Sequence, residues 1–189
     1  MAPILFNPKS NQGITLIEVL VSIVILSTGV LGTVKLQITS IQSTQQANYL
    51  NLATGLVSEM SDKMMGNVAL SDHPGDGNPY LRVDFRSEQT QGIPTASCYR
   101  HPCTADQLAA ADIAEWLQKM HAALPEVRAV ICRDDTPWDA AARRFIWDCH
   151  GGNDQAGIVI KLGWADKNYS PKYAAPLLVV PVPIPVTSG

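Results

Sequence analysis

The segment G-I-T-L-I-E at positions 13–18 decides how the N-terminal part of this chain folds, because positions 19–34 follow it without another charged side chain. At a rise of about 1.5 Å per residue, roughly 20 mostly apolar residues cross the ~30 Å hydrocarbon layer of a bilayer. Residues 14–36 supply that length. The sequence therefore predicts a membrane-spanning helix that begins close to Thr15.

The carboxylate of Glu18 lies one turn inside this apolar stretch. A lone carboxylate that faces lipid costs about 3 kcal/mol on insertion scales, so we expect it to have a partner. One explanation is local, because T-L-I-E at positions 15–18 has the pattern of a capping box, in which Thr15 and Glu18 satisfy free amide donors. The other explanation is a contact with a second protein molecule during assembly. We favour assembly, because packing alone does not account for an acid at this position.

A secretory signal peptide would also place an apolar segment near the N-terminus. Such a peptide has a basic region, a short apolar core and a small-residue cleavage site after that core. Here Lys9 is the only basic side chain before the apolar stretch, Glu18 lies within the stretch, and no A-x-A pattern follows it. The sequence therefore favours a helix that is retained.

Beyond Val34 the apolar side chains recur at intervals of three, four or a multiple, which is typical of one face of a helix. Polar residues such as Gln42 and Asp62 fall mostly outside this stripe. We expect one helix from about Thr15 to Met65, whose second half packs against a soluble head. The stripe consists of Ile38, Ile41, Gln45, Leu52, Leu56, Met60 and Met64.

Gly13, an apolar residue, and then T-L-I-E-V-L-V at positions 15–21 resemble the class III signal of type IV prepilins and related pseudopilins. The continuation S-T-G-V-L-G at positions 27–32, with positions 45–47 and 53–60, is similar to the PilV-type minor pilins of type IV pili. The resemblance covers about the first third of the chain. It implies the pilin architecture, a long N-terminal helix against an antiparallel sheet.

The resemblance also implies what happens to individual residues. A membrane-embedded prepilin peptidase is expected to cut after Gly13 and to N-methylate the new amino terminus at Ile14. Glu18 corresponds to the family glutamate that neutralises the amino-terminal charge of a neighbouring subunit. Thr15, in the same first turn, is assigned to the same assembly contact.

Some features depart from the family pattern. Ile14 stands where phenylalanine is usual, the leader of residues 1–13 has one lysine, and no proline occurs between Ile14 and Asp62. Gly29 and Gly32 allow two explanations. They loosen the helix, since glycine costs roughly 1 kcal/mol relative to alanine, or they let membrane helices pack closely.

Residues 67–189 are expected to form a single head domain. The net charge of the chain is -3 at pH 7, and its lysines and arginines do not cluster with aromatic residues. We therefore expect no binding to nucleic acid. The tail at positions 176–185 alternates proline with apolar residues. Because proline is tolerated at sheet edges, we expect an edge strand followed by an extended polyproline-like end.

Within the head, T-A-D-Q at positions 104–107 has the pattern of a capping box, and an apolar stripe at positions 108–124 predicts the helix that follows it. Three later runs rich in branched or aromatic residues predict an antiparallel sheet. In the last of them, Lys161 points to the face opposite the apolar residues. The three runs are residues 127–133, 144–149 and 158–164.

All the cysteines, Cys98, Cys103, Cys132 and Cys149, lie in the predicted head. An even number of cysteines in an exported domain indicates disulfides, and the sequence allows three connectivities. We favour Cys98 with Cys103, closing a small loop, and Cys132 with Cys149, joining two predicted strands.

The alternative to disulfides is a zinc site that uses Cys98, Cys103, His101 and either Cys149 or His150. Structural zinc usually takes matched pairs of ligands at short spacings. Only one pair here is close to that spacing. We therefore expect no metal and no cofactor.

The remaining polar residues give little support for catalysis, and we expect no enzyme. The acids at positions 76, 134 and 135 lack the ligand spacing of a calcium loop, so we interpret them as solvated turn acids. The tryptophans are expected to pack in the core or on the sheet, with Trp138 a candidate for exposure. The histidines are scattered, and we interpret them as surface residues; they are His73, His101, His121 and His150.

Together these observations predict an α+β, pilin-like chain. Residues 1–13 form the leader, 14–36 the membrane and assembly part of the helix, 37–66 its amphipathic part, and 67–189 a periplasmic head with a proline-rich tail. The expected location is the bacterial inner membrane, with a single pass and the head in the periplasm, and later the pilus.

The expected function is that of a minor pilin that helps to start assembly of type IV pili, with roles in twitching motility and adhesion. Its expected partners are prepilin peptidase, other minor pilins, the major pilin, a tip adhesin and the inner membrane. Two alternatives stay open at this point. One is a minor pseudopilin of type II secretion, and the other is a membrane-anchored periplasmic binding protein or enzyme.

Overall fold

The computed structural model of the chain describes residues 15–71, 77–88, 98, 102–151, 156–165 and 174–183. The chain divides into two compact units, Met1–Gln45 and Gln46–Gly189. The helices are α1 (Leu16–Gly66), α2 (Val68–Ser71) and α3 (Ala105–Ala123), with a 3-10 helix at Pro79–Arg82. The strands are β1 (Asp84–Arg86), β2 (Arg128–Arg133), β3 (Trp138–Asp139), β4 (Arg144–Phe145), β5 (Ile158–Gly163) and β6 (Leu178–Pro181).

Helix α1 runs from Leu16 to Gly66, which confirms the single long helix predicted from the apolar pattern. In the first unit every described residue, 15–45, is exposed. By length and composition, α1 contains a stretch that is long and apolar enough to cross a membrane. The helix continues through Gly29 and Gly32, and a methyl group added at either glycine would meet no other atom within 4 Å.

In the second unit, the C-terminal part of α1 packs in the core of the head. Of the predicted stripe, Leu56, Met60 and Met64 are buried, together with Ala53 and Val57. The prediction is wrong for Ile38, Ile41, Gln45 and Leu52, which are exposed, because the core of the head, as far as the structure describes it, meets α1 from Tyr49 onward.

Helix α3 begins with the predicted capping box. Thr104 accepts a hydrogen bond from the N–H of Gln107, and the Gln107 side chain accepts from the N–H of Thr104. Trp116 is fully buried, and its Nε1 donates to the carbonyl oxygen of Leu56 at 2.8 Å. This bond joins α3 to the part of α1 that lies in the head.

The main sheet is antiparallel and four-stranded, in the order β1-β2-β5-β6. Together with α1 it gives the α+β, pilin-like architecture expected from the sequence. The predicted strands at residues 127–133 and 158–164 are present as β2 and β5, and the expected edge strand of the tail is β6.

The prediction of a third strand at residues 144–149 in this sheet is wrong. Residues 144 and 145 form β4, which, in the part of the chain that the structure describes, pairs with β3 alone in a separate two-stranded hairpin. From position 146 onward the chain instead crosses the main sheet, where the carbonyl oxygens of Ile146 and Asp148 bind a side chain of β5. Phe145 therefore pairs with Trp138 in the hairpin, whereas the ring of Trp147 lies against Gly163 of β5.

The two faces of β5 are both buried, but they contact different parts of the chain. Ile158, Ile160 and Leu162 pack in the core with the helices. Lys161 points to the opposite face, as predicted, yet it is fully buried. We call this second face the outer face, and residues 134–151 cover it.

The structure contains two disulfides, Cys98–Cys103 and Cys132–Cys149, with Cα–Cα distances of 5.7 Å and 6.2 Å. The second bridge joins β2 to the segment that covers the outer face. Because all the cysteines are oxidised in pairs, their sulfurs are not available as thiolate ligands for the zinc site considered above.

Candidate functional site

The first turn of α1 presents the residues that the sequence singled out for assembly. The carbonyl oxygen of Thr15 accepts from the backbone N–H groups of Glu18 at 3.0 Å and Val19 at 3.4 Å. Glu18 itself is exposed, and within the described part of the chain no salt bridge involves its carboxylate. The geometry leaves this carboxylate accessible to a second molecule. Capping by the Thr15 and Glu18 side chains stays a prediction.

Gly13 and Ile14, where cleavage and methylation are expected, lie outside the described residues. Both modifications therefore stay predictions. Thr15 and Glu18 are the members of the predicted assembly set that the structure describes, and both belong to the same exposed turn.

The hydroxyl groups along the apolar part of α1 are bonded within the helix. Ser22 donates to the carbonyl oxygen of Glu18 at 2.7 Å, and Ser27, Thr28 and Thr33 donate to carbonyl oxygens three residues earlier. In hydrocarbon an unpaired polar group costs several kcal/mol, on the order of 2–7. These bonds therefore make the polar residues of the segment compatible with a membrane interior.

The charged groups on either side of this segment are Glu18 and Lys35, and the sequence between them contains none. Its large apolar side chains are exposed in the chain by itself and require another apolar environment, either lipid or other helices. They are Val19, Leu20, Val21, Ile23, Val24, Ile25, Leu26, Val30, Leu31 and Val34.

The head contains a buried charge pair that the sequence analysis did not identify. Lys161 Nζ donates to a carboxylate oxygen of Asp134, to the carbonyl oxygen of Ile146 at 2.9 Å and to that of Asp148 at 2.7 Å. The interpretation of Asp134 as a solvated turn acid is therefore wrong, because Asp134 is buried. A lysine within an otherwise apolar strand was the only sequence signal for this pair.

The second oxygen of Asp134 accepts from the N–H groups of Thr136 at 2.9 Å and His150 at 3.3 Å. Burial alone would raise the pKa of Asp134, but the bond from Lys161 and the two backbone bonds outweigh it, so the pKa lies below its usual value. This arrangement fixes both ends of the segment that covers the outer face. Each lysine hydrogen has an acceptor, which is typical of a structural ion pair rather than a reactive amine.

A second group of charges joins α1 to α3 on the head surface. Lys63 lies 2.8 Å from Glu115 and 3.3 Å from Asp112, and Lys119 lies 2.7 Å from Glu59 and 2.9 Å from Glu115. The bonds from Lys63 and Lys119 lower the pKa of Glu115 to about 2. Every acid here faces a lysine, so the group serves as a helix-to-helix contact.

The other candidate residues do not converge on a reactive centre. His121 and His150 are exposed, while His73 and His101 lie outside the described residues. Within the described residues no cluster of acids, histidines and cysteines has a geometry that would hold a metal ion. Trp138 is exposed, as anticipated, and its ring meets Phe145 edge to face at 5.1 Å.

The comparison with protein families supports the prepilin-type interpretation of the N-terminal segment. The family model described as the prokaryotic N-terminal methylation motif matches residues 8–34. This range contains Gly13, Ile14 and Glu18 and most of the apolar segment. Searches of curated proteins and of solved structures found no match for the chain. The chain thus carries the prepilin-type N-terminus, which supports its assignment to the type IV pilin-like proteins, as a pilin or a pseudopilin.

Proposed function

We propose that this chain is a minor pilin of PilV type, which helps to start assembly of a type IV pilus and becomes part of the fibre. The observation that carries the proposal is the methylation motif at residues 8–34, followed by an exposed apolar helix that is uncharged between Glu18 and Lys35. The α+β head with two disulfides is consistent with an exported, oxidising compartment.

In this proposal prepilin peptidase cuts after Gly13 and methylates Ile14. The amine remains protonated near neutral pH, so it can pair with the Glu18 carboxylate of a neighbouring subunit. At ~4 Å, opposite charges attract by about 4 kcal/mol at an effective dielectric constant of 20, against about 1 in water. Desolvation opposes much of this gain, so the pair sets the register between subunits more than it adds stability.

The proposal also includes the partners of the chain and its location. The helix spans the inner membrane once, and the head lies in the periplasm until the subunit enters the fibre. Other minor pilins and the major pilin supply neighbouring amino termini, and the head is available to a tip adhesin. The proposed roles in twitching motility and adhesion follow from incorporation into the fibre.

The central experiment replaces Glu18 by glutamine, which keeps the shape of the side chain and removes its charge. We expect the Glu18→Gln variant to insert into the membrane and to be processed, but not to co-purify with sheared fibres. Glu18→Asp, which keeps the charge, is the matched control and should retain part of the incorporation. Normal incorporation of Glu18→Gln would reject the role of this carboxylate.

Mass spectrometry of the isolated protein tests processing directly. We expect the mature chain to begin at Ile14 and to carry one N-methyl group. An active protein that still has residues 1–13 attached would overturn the proposal.

A minor pseudopilin of type II secretion is the second candidate, because the methylation motif is shared by both systems. Deleting the gene separates them. Loss of twitching motility with normal exoprotein secretion supports the pilus, and the reverse result supports the secretion system.

A further inference from the structure

The prolines of strand β6 occupy particular positions in the sheet. Strand β6 is last in the strand order, and among the described residues it pairs only with β5. Its register places Val180 opposite Ile160 and Pro181 opposite Val159. One residue further on, the N–H of Val182 donates to the carbonyl oxygen of Ile158 at 2.8 Å.

In an antiparallel pair, successive residues alternate between those whose N–H and C=O face the neighbouring strand and those whose groups face away. Val182 donates toward β5, so Val180 faces β5 as well. Pro181 and Pro183 then occupy the positions that face away from β5, at the edge of the sheet. The side chains of Pro181 and Pro183 are exposed, whereas that of Val182 is buried.

Proline has no N–H group, so its effect on a strand depends on which side it faces. At position 181 the missing donor costs nothing in the pairing with β5, because the N–H at this position would point to the edge. The same residue shifted to position 180 or 182 would remove a bond to β5. The alternation therefore keeps the inward donors at positions 180 and 182 and removes the outward donors at positions 181 and 183, while Val179 keeps its outward N–H.

An unprotected edge strand offers a row of donors and acceptors to which another strand can add. At the β6 edge Pro181 and Pro183 supply carbonyl acceptors but no donors, and their rings occupy the space that an added strand would need. The strand most readily available to such an edge is β6 of a second copy of the same chain, because copies meet at high local concentration on a membrane.

We infer that Pro181 and Pro183 close the β6 edge against strand addition by a second copy of this chain. Within the described residues the main sheet therefore ends at β6, and two heads do not join into one continuous sheet. Copies of the chain that associate would contact each other through other surfaces, such as the exposed segment of α1. This inference rests on the register of β6, and its choice of a second copy as the added strand rests on the proposed membrane location; neither requires that the chain is a pilus subunit.

The test restores the missing donors in the full chain, purified in detergent at less than one chain per micelle. Pro181→Ala with Pro183→Ala adds both N–H groups and the smallest side chains. We expect the dissociation constant for self-association to fall by about tenfold or more, since strand hydrogen bonds become available at each edge. Sedimentation equilibrium measures the association, and hydrogen exchange of the Val179 amide locates it.

In the wild-type chain we expect the Val179 amide to exchange rapidly, and in the associated double variant we expect it to be protected. The matched control is Pro125→Ala with Pro137→Ala, which removes two prolines away from this edge and should leave association unchanged. A second variant, Pro181→Val with Pro183→Val, should behave like the alanine variant.

Three results would overturn the inference. The first is a folded alanine variant that associates no more than the wild-type chain. The second is equal association of the control variant, which would point to a general loss of rigidity. The third is association of the valine variant alone, which would point to added apolar surface instead of restored hydrogen bonds.

Discussion

The ammonium group of Lys161 donates to the carboxylate of Asp134, and both side chains are completely enclosed by the protein. Lys161 lies in the middle of β5, while Asp134 follows β2 directly. The same ammonium group binds two carbonyl oxygens of the segment that crosses the outer face. One lysine therefore holds the sheet and its cover together.

We predict that Lys161→Met lowers the free energy of unfolding by about 3–5 kcal/mol, because the Asp134 carboxylate stays buried without its counter-charge. Chemical denaturation followed by tryptophan fluorescence measures the change. The double variant Asp134→Asn with Lys161→Met should be more stable than Lys161→Met alone, since it buries no charge. If the single variant unfolds at the same denaturant concentration as the wild type, the pair is not a stabilising contact.

The stability of the head should fall as the solution becomes acidic. The pKa of Glu115 is lowered from 4.5 to about 2 by Lys63 and Lys119, and that of Asp134 is also lowered. A carboxyl group whose pKa is lower in the folded state contributes stability above its unfolded pKa and loses it as the pH falls through the folded pKa. The decline therefore lies between about pH 4.5 and 2.

Denaturation midpoints measured across this range provide the test, and Glu115→Gln should make the decline shallower. The effect is small, because the Glu115 side chain is 41% exposed and solvent screens its ion pairs. Asp62→Asn, on the exposed side of α1, is the control and should leave the slope unchanged. A slope that Glu115→Gln does not alter would show that its ion pairs do not contribute.

The parts of the fold that could be predicted are those that short stretches of sequence determine. Helix α1 follows from an apolar run and a helical stripe, and the start of α3 follows from the Thr104–Gln107 capping box. Strands β2 and β5 follow from alternation. The N-terminal motif, which the family model matches at residues 8–34, could be recognised without any information from the head, and the assembly role of Thr15 and Glu18 stays a proposal.

The burial of Lys161 could not be predicted, because it depends on a distant segment. From sequence alone, a lysine opposite an apolar face is expected to reach solvent. Here residues 134–151 cover it, and the contacts that hold them come from Asp134, Cys132 and Trp147. The run at 144–149 was mistaken for a strand of the main sheet for the same reason, since Phe145 pairs with Trp138 in the separate hairpin and Trp147 packs on β5 instead of pairing with it.

The two disulfides should differ in their contribution to stability. Cys132–Cys149 closes a longer loop, with a sequence separation of 17 against 5 for Cys98–Cys103. In the chain-entropy model, removing the longer loop costs about 3 kcal/mol and removing the shorter one about 2 kcal/mol. Replacing each pair by alanine and measuring denaturation gives the comparison. A larger loss for the Cys98–Cys103 variant would contradict the order expected from loop length.

The packing of Trp147 against the outer face leads to the last prediction. A methyl group added at Gly163 would lie 2.9 Å from a ring carbon of Trp147 and 3.1 Å from the carbonyl oxygen of Ala175. The Trp147 ring also contacts Arg128, whose guanidinium carbon lies 4.4 Å from the ring centroid. The ring therefore has little room to move away.

Gly163→Ala should thus destabilise the head by about 1–3 kcal/mol through overpacking. The matched control is Gly55→Ala in α1, where an added methyl group meets nothing within 4 Å. This control should stabilise the protein by about 1 kcal/mol, because alanine is the better helix former. Opposite shifts of the two denaturation midpoints are the expected result. A neutral Gly163→Ala variant would mean that the segment covering the sheet moves away at Trp147, and that the contacts of Lys161 and Asp134 and the Cys132–Cys149 bridge are enough to hold it in place.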